Sequence, residues 1–521
     1  MSAALPGRRD AHRAALSSGE RFDLLIVGGG ATGAGVALDA VSRGLSVALI
    51  ERDDLATGTS SRSTKLIHGG VRYLEKAVKG LDRGQFALVR DALHERAVLI
   101  RNAPHLCHAL PLVTPLYRWL QVPYIMAGLK LYDLLAGRTN LGSSRFLSAS
   151  AAKQRFPQLK TDGLRGGVMY YDGQFDDARM NVAIAMSAVE RGAVVVTHAE
   201  VTALHREAGR LTGASVHDRV DGSDVDVRAR AVVNAAGPYG DAVRRLSDPE
   251  AAPMLNASTG VHIVLDGRFA PPDTGLLIPE TEDGRVLFLL PWLGSTLVGT
   301  TDEPAPVVDD PQATEAEIEY ILRHLGRYFD VPVGRDDVKA AWSGLRPLVS
   351  DPKAADTAKL SRDHVIHVDD AGLVTIAGGK WTTYRRMAAD TVNAAVAAGD
   401  LRDVGRSATV DLKLVGADRF DPGGAAALEA RGFAADVARH LHHAYGDRAG
   451  LVADLAEGGL GARLTEGHPN LEAEVVFAKQ HELAVTARDV LHHRTRLAFL
   501  DEAAAEAARA RVEALLRDAT G

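Results

Sequence analysis

The sequence predicts an α/β protein in three parts: a Rossmann-like dinucleotide-binding domain, an antiparallel-sheet substrate (cap) domain interleaved with it, and an all-helical C-terminal domain. Three observations predict this. The apolar run Leu24–Val27 leads into Gly28, Gly30 and Gly33, which have GxGxxG spacing at the start of a helix. Strand, small-residue turn and helix recur at "ARAVVNAAGPYGDAV" and "GLVTIAGGKWTTYRRM". Beyond about residue 405 the composition shifts to Ala, Leu, Glu and Arg at helical spacing.

The expected boundaries are 1–20 for a loose N-terminal tail, 21–405 for the nucleotide domain with its cap at roughly 80–160 and 250–370, and 406–521 for the helical domain. At 521 residues with 46% hydrophobic content, the chain is long enough for two or three real cores. A net charge of -7, from 60 Lys+Arg against 67 Asp+Glu, gives no general footprint for nucleic acid. The lone Cys107 excludes disulfides within the chain and cysteine metal clusters, which fits a reducing cytoplasm. The histidine clusters lack zinc-site spacing, so no metal is expected.

Each element has its own signal. Glu51 closes the second strand of the first unit, eighteen residues beyond Gly33, where a carboxylate accepts from ribose hydroxyls. NAD and FAD both satisfy that fingerprint. Phe86, Val89, Leu93, Val98 and Leu99 recur at helical spacing and end before Pro104. "VPYIMAGLKLYDLLAG" is interrupted by Lys130 and Asp133, so it does not span a bilayer. With Trp119, Tyr124 and Tyr132 it fits a helix lying on a membrane as well as one buried in the domain. Asp176 is placed to cap a helix over "DDARMNVAIAMSAVERG", and Pro238 suits a first helical turn. "STGVHIVLDG", "TGLLIPE" and "RVLFLLPWLGSTLVGTTDEP" alternate or run apolar as strands of a sheet that roofs a pocket. Three glycine turns suggest one large ligand gripped from three sides.

"SRSTKLIHGGVRYLE" (Ser61–Glu75), "FDDAR" (Phe175–Arg179), "VGTTDEP", "SGLRPLV" and "GGKWTTYR" resemble, in order and over nearly the whole chain, the blocks of the FAD-dependent respiratory glycerol-3-phosphate dehydrogenases, within the glycine oxidase-like flavoproteins. The resemblance implies FAD, sn-glycerol 3-phosphate as substrate, dihydroxyacetone phosphate as product, and electron transfer to a membrane quinone. It implies cofactor contacts from Gly28, Gly30, Ala31, Thr32, Gly33, Glu51 and Arg52. Thr59, Ser60, Ser61, Ser63, Thr64, Lys65, Leu66, His68 and Gly69 would follow, then Ala236, Gly237, Gly378, Gly379, Lys380, Trp381, Thr382 and Thr383.

Oxidising a secondary alcohol requires hydride departure from carbon, loss of the hydroxyl proton, and an anchor for the phosphate. Arg72, Arg346 and Lys380 are the candidate cations for substrate, with Tyr73 as neutral donor. The positive charge of the Ser61–Glu75 stretch is thus expected to await FAD and a phosphate. His262 is the first choice of base and His68 the second, His68 fitting better against the flavin ring; arginine does not readily give up its proton. Competing readings are an oxidase that makes peroxide, an amine oxidase of the same fold, and an FAD-containing scaffold. The expected location is cytoplasmic, peripheral on the inner face of the cell membrane. A homodimer is left open.

Overall fold

The computed structural model describes residues 8–70, 83–279, 281, 284–349, 364–402 and 404–519. Two sheets dominate. The first has a parallel centre, ordered Leu373–Gly378, Asp224–Asn234, Arg21–Val27, Val47–Ile50 and Val194–Val196. These strands read as continuous apolar runs because both their faces are covered, one by the helices Ala31–Ser42, Asp177–Val189 and Tyr384–Ala398, the other by the antiparallel strands Ala199–Glu207 and Arg210–Asp218 with Leu16 and Val243. Val27 pairs with Ile50 on one side and Asn234 on the other, and Asn234 pairs with Thr375. The three predicted glycine turns therefore emerge at one edge, the carboxyl ends of the strands, where open α/β sheets bind ligands.

The second, ten-stranded sheet is antiparallel except where Gly275–Ile278 pairs in parallel with Cys107–Leu116. Its long pair is Leu255–Asp266 against Val338–Val349, with His262 opposite Trp342 and Ser258 opposite Arg346. The cap differs from the sequence boundaries on two counts. Leu66–Ile67 and Gly166–Phe175 belong to this sheet although they lie outside 80–160, because each finds its partner only in the folded chain. His364–Val368 instead pairs with Leu373–Gly378 in the nucleotide sheet, a tight hairpin being its nearest edge.

The N-terminal segment departs further. Residues 9–16, expected to be loose, form a helix whose His12 and Leu16 are buried against Val194–Val196. Arg9 and Arg13 both pair with the buried Asp218, so the charges that suggested solvent are neutralised some 200 residues away. The Gln121–Ala136 helix has one buried and one exposed face. Leu129, Tyr132 and Ala136 are buried, while Trp119, Leu120, Tyr124 and Leu134 are exposed.

Six α-helices between Gly424 and Asp518 form the C-terminal part around two cores of their own. The segment leading to them, with Leu412, Leu414 and Val415, packs into the nucleotide domain's core. Buried ion pairs, Arg179 with Glu482 and Arg494 with Asp54, join this part to the rest.

Candidate active site

The edge of the first sheet opens into a cleft of about 920 Å³. Gly28 starts the first turn at φ +109°, and a side chain there would meet the Ala235 carbonyl at 2.6 Å. A Cβ on Gly33 would lie 1.8 Å from the Gly28 carbonyl oxygen, so the Ala31–Ser42 helix approaches the strand only because glycine stands there. Gly30, Ala31 and Thr32 present the helix N-terminus to the cleft, a favourable seat for a diphosphate. Glu51 faces it from the next strand; its carboxylate accepts from the amides of Gly29 and Asp53, at 2.5 and 2.9 Å. Burial pushes the Glu51 carboxyl up against the pull of those two amides. Thr59 and Ser60 form one further wall, Ala236 and Gly237 another, and Gly378, Gly379, Lys380 and Trp381 the third. A glycine cradle that a Cβ would fill at Gly28, helix amides and a carboxylate in the lining fit a flavin dinucleotide.

The other residues predicted to touch the cofactor stand around this cleft rather than in its lining. Arg52 lies over the Tyr239 ring at 4.7 Å and pairs with Asp309 and Asp53. Ser63 donates to Asp177, Leu66 lies in a cap strand, and Gly69 is packed against the Tyr132 hydroxyl. Thr382 donates to the His68 carbonyl and Thr383 to that of Lys380, in the turn that opens the Tyr384–Ala398 helix, where neither side chain caps the helix. The buried carbonyl side of Ser61 faces away from the cleft, toward Lys65 and Arg496.

The positive charge of the Ser61–Glu75 stretch is largely matched from within. Arg62 pairs with Asp310, and His68 Nδ1 meets Asp172 at 2.6 Å. Lys65 is wholly buried, donating to Asp177 at 2.7 Å beneath the Trp342 ring. The expectation that these cations await ligand phosphates is corrected for Arg62 and Lys65: carboxylates distant in sequence hold them. Burial pushes the Lys65 ammonium down to about 7, against the pull of Asp177. Arg72 and Tyr73 lie outside the described residues.

The cap supplies His262 and Arg346. His262 is buried, stacked on Trp342 with ring centroids 4.3 Å apart, and its Nε2 is 3.0 Å from the Thr64 hydroxyl. Burial, then the charges of Lys65 and Arg346, push its pKa well below the ordinary value, so the imidazole is neutral. Arg346 is held by Asp302 and the Thr300 hydroxyl, with Pro347 beside it in the cleft wall.

Sequence reasoning missed Asp172, Asp177, Arg96 and Tyr132. Asp172 is fully buried and receives Arg96 at 2.7 Å and the Tyr132 hydroxyl at 3.0 Å as well as His68. Asp177 had a visible signal, since it belongs to the "FDDAR" block. Asp172 had none beyond an acid inside an apolar strand.

Comparison with known proteins follows this division of the chain. Residues 23–385 match the family described as FAD dependent oxidoreductase, and residues 407–521 the C-terminal domain of alpha-glycerophosphate oxidase. Mitochondrial glycerol-3-phosphate dehydrogenase of Homo sapiens is 49% identical over 526 residues, covering 98% of this chain and 72% of the human protein. The glycerol-3-phosphate dehydrogenase of Bacillus halodurans, solved as a complex with FAD, superposes with a TM-score of 0.79 at 30% identity, over 98% of this chain and 94% of that one. Glycine oxidase of Geobacillus kaustophilus shares the fold, with a TM-score of 0.52 at 18% identity over 75% of this chain and 98% of that one.

Proposed function

Because the chain belongs to the family of FAD-dependent glycerol-3-phosphate dehydrogenases, we propose that it oxidises sn-glycerol 3-phosphate to dihydroxyacetone phosphate and delivers the electrons to a membrane quinone. The observation that carries the reading is the glycine-lined cleft flanked by the cap strand pair that bears His262 and Arg346, with Pro347 beside Arg346 in the cleft wall.

Bound FAD supplies the two-electron acceptor for the hydride. The chain's residues do the rest. His262 takes the hydroxyl proton, its Nε2 kept in place by the Thr64 hydroxyl and its ring by Trp342. Arg346 orients the anionic substrate, together with Arg72 and Tyr73. An arriving phosphate offsets the Arg346 charge that depresses His262, raising the imidazole's basicity when substrate is present. Lys380, at the start of the Trp381–Thr383 turn, lines the cleft and would bring positive charge toward the reduced cofactor. His68, oriented by Asp172, would face the flavin ring.

A peripheral membrane position is supported by the exposed face of the Gln121–Ala136 helix. Trp119, Leu120, Tyr124 and Leu134 lie among the exposed cations Arg118, Lys130, Arg138 and Arg145. No helix among the described residues is long and apolar enough to cross a membrane.

The test is anaerobic mixing of the FAD-loaded protein with sn-glycerol 3-phosphate while flavin absorbance is followed, with glycerol, lactate and glycine as controls. Bleaching by the phosphate ester alone is expected; colour that persists would sink the assignment. Reoxidation by a soluble quinone in preference to oxygen then separates dehydrogenase from oxidase.

A further inference from the structure

The wall of the cofactor cleft formed by residues 57–60 has a back as well as a front. On the front, Thr57, Gly58, Thr59 and Ser60 line the cleft, and the Ser60 hydroxyl accepts from the amide of Ala31 at the N-terminus of the glycine-rich helix. On the back, both ends of this wall are held by the C-terminal domain. Arg494 makes a two-pronged pair with Asp54, at 2.8 and 3.0 Å. Arg496 donates to the Ser61 carbonyl at 2.8 Å and to Asp177 at 3.3 Å.

Both guanidinium groups are buried. Arg496 adopts φ +64°, a left-handed conformation that L side chains rarely take, and Lys65, which donates to the same Ser61 carbonyl, adopts φ +61°. Two strained residues meeting on one carbonyl mark a position that the surroundings over-determine.

We propose that Arg494 and Arg496 are positioning residues for the cofactor: they fix residues 54–61 from behind, so that FAD binding and docking of the C-terminal domain are one coupled equilibrium. FAD then binds tightly only when the domain is seated, and bound FAD in turn tightens the seat, since coupling between two sites is reciprocal. The proposal rests on FAD occupancy of the cleft alone and stands whatever the substrate or electron acceptor.

The experiment uses full-length protein stripped of FAD and titrated with FAD, binding being followed by flavin fluorescence quenching. Arg496→Met is expected to raise the Kd for FAD about 10-fold or more, within the usual range of coupling. Arg431→Ala, which removes a surface pair with Asp454 and Glu457 in the same domain, is expected to leave it unchanged. A second arm needs no variant: amide exchange at residues 489–500 of the unaltered protein is expected to slow when FAD is added. A folded Arg496→Met protein with unchanged affinity, or exchange at 489–500 indifferent to FAD, would overturn the proposal. Should the variant not fold, the exchange arm decides by itself.

Discussion

Asp172 accepts from His68, Arg96, Tyr132 and the Gly69 amide in the interior between cap and cleft. Burial alone would raise its carboxyl, but the charges of His68 and Arg96 outweigh that and hold it below the ordinary value, so it is ionised and acts only as acceptor. It thereby directs the Nδ1–H of His68 inward and leaves Nε2 as the free edge of the ring. Asp172→Asn is expected to lower kcat/KM about 10- to 100-fold, the kinetic equivalent of one charge-assisted hydrogen bond of ~1.5–3 kcal/mol. Steady-state turnover with sn-glycerol 3-phosphate checks this, and an unchanged value would remove His68 from the chemistry. Lys65 yields a second prediction with a definite sign. Its ammonium titrates near 7 in the folded chain and near 10.5 when unfolded. Between those values the unfolded chain holds the extra proton, so this residue's contribution to stability grows as pH rises. The melting temperature of the wild type minus that of Lys65→Met should therefore increase from pH 7 to pH 9; a flat or falling difference would contradict a neutral buried amine.

At the scale of the element, the Gln121–Ala136 helix shows how one segment serves two environments. Its inner face brings the Tyr132 hydroxyl to Asp172, and its outer face leaves Leu120 and Leu134 in solvent. Each exposed leucine would gain ~1.5–3 kcal/mol if fully buried in an apolar phase. Replacing both by Asp is expected to abolish sedimentation with anionic phospholipid vesicles while leaving bleaching of the flavin by substrate intact. Retained vesicle binding would move the membrane contact to another surface. The Arg9–Leu16 helix teaches a related lesson. Its inward side is Arg9, His12, Leu16 and the partly buried Ala15, too little apolar pattern to stand out in sequence, yet it covers the edge strand Val194–Val196.

At the scale of the whole molecule, the three parts are joined by buried charges. Asp54 and Glu482 are held below the ordinary carboxyl range although burial alone would raise them, Asp54 by Arg494 and His493, Glu482 by Arg179 and Arg494. A depressed carboxyl contributes stability that is present above its unfolded value, about 4, and lost as pH falls through the folded value. The loss therefore begins below about pH 4, and lowering the pH from 5 to 3 is expected to remove only the first part of this stabilisation. Asp54→Asn, compared by thermal melts at the two pH values, should show a shallower fall. An equal slope in both proteins would mean that this junction does not govern acid stability.

Local chemistry was legible throughout. Gly28 and Gly33 stand where any Cβ would strike backbone, Asp176 caps its helix as its position required, and the parallel strands show as apolar runs. The sequence by itself thus determined the nucleotide domain, the helical C-terminal part and the three turns at the cleft, because each depends on residues within one unit of strand, turn and helix. Only the tertiary structure decided where the charges end: Lys65 on Asp177, Arg62 on Asp310, His68 on Asp172, and Arg496 on the Ser61 carbonyl. Those pairings span up to 435 residues of chain and obey no periodicity. A buried charge needs a partner wherever the fold can bring one, and only the packed chain reveals which.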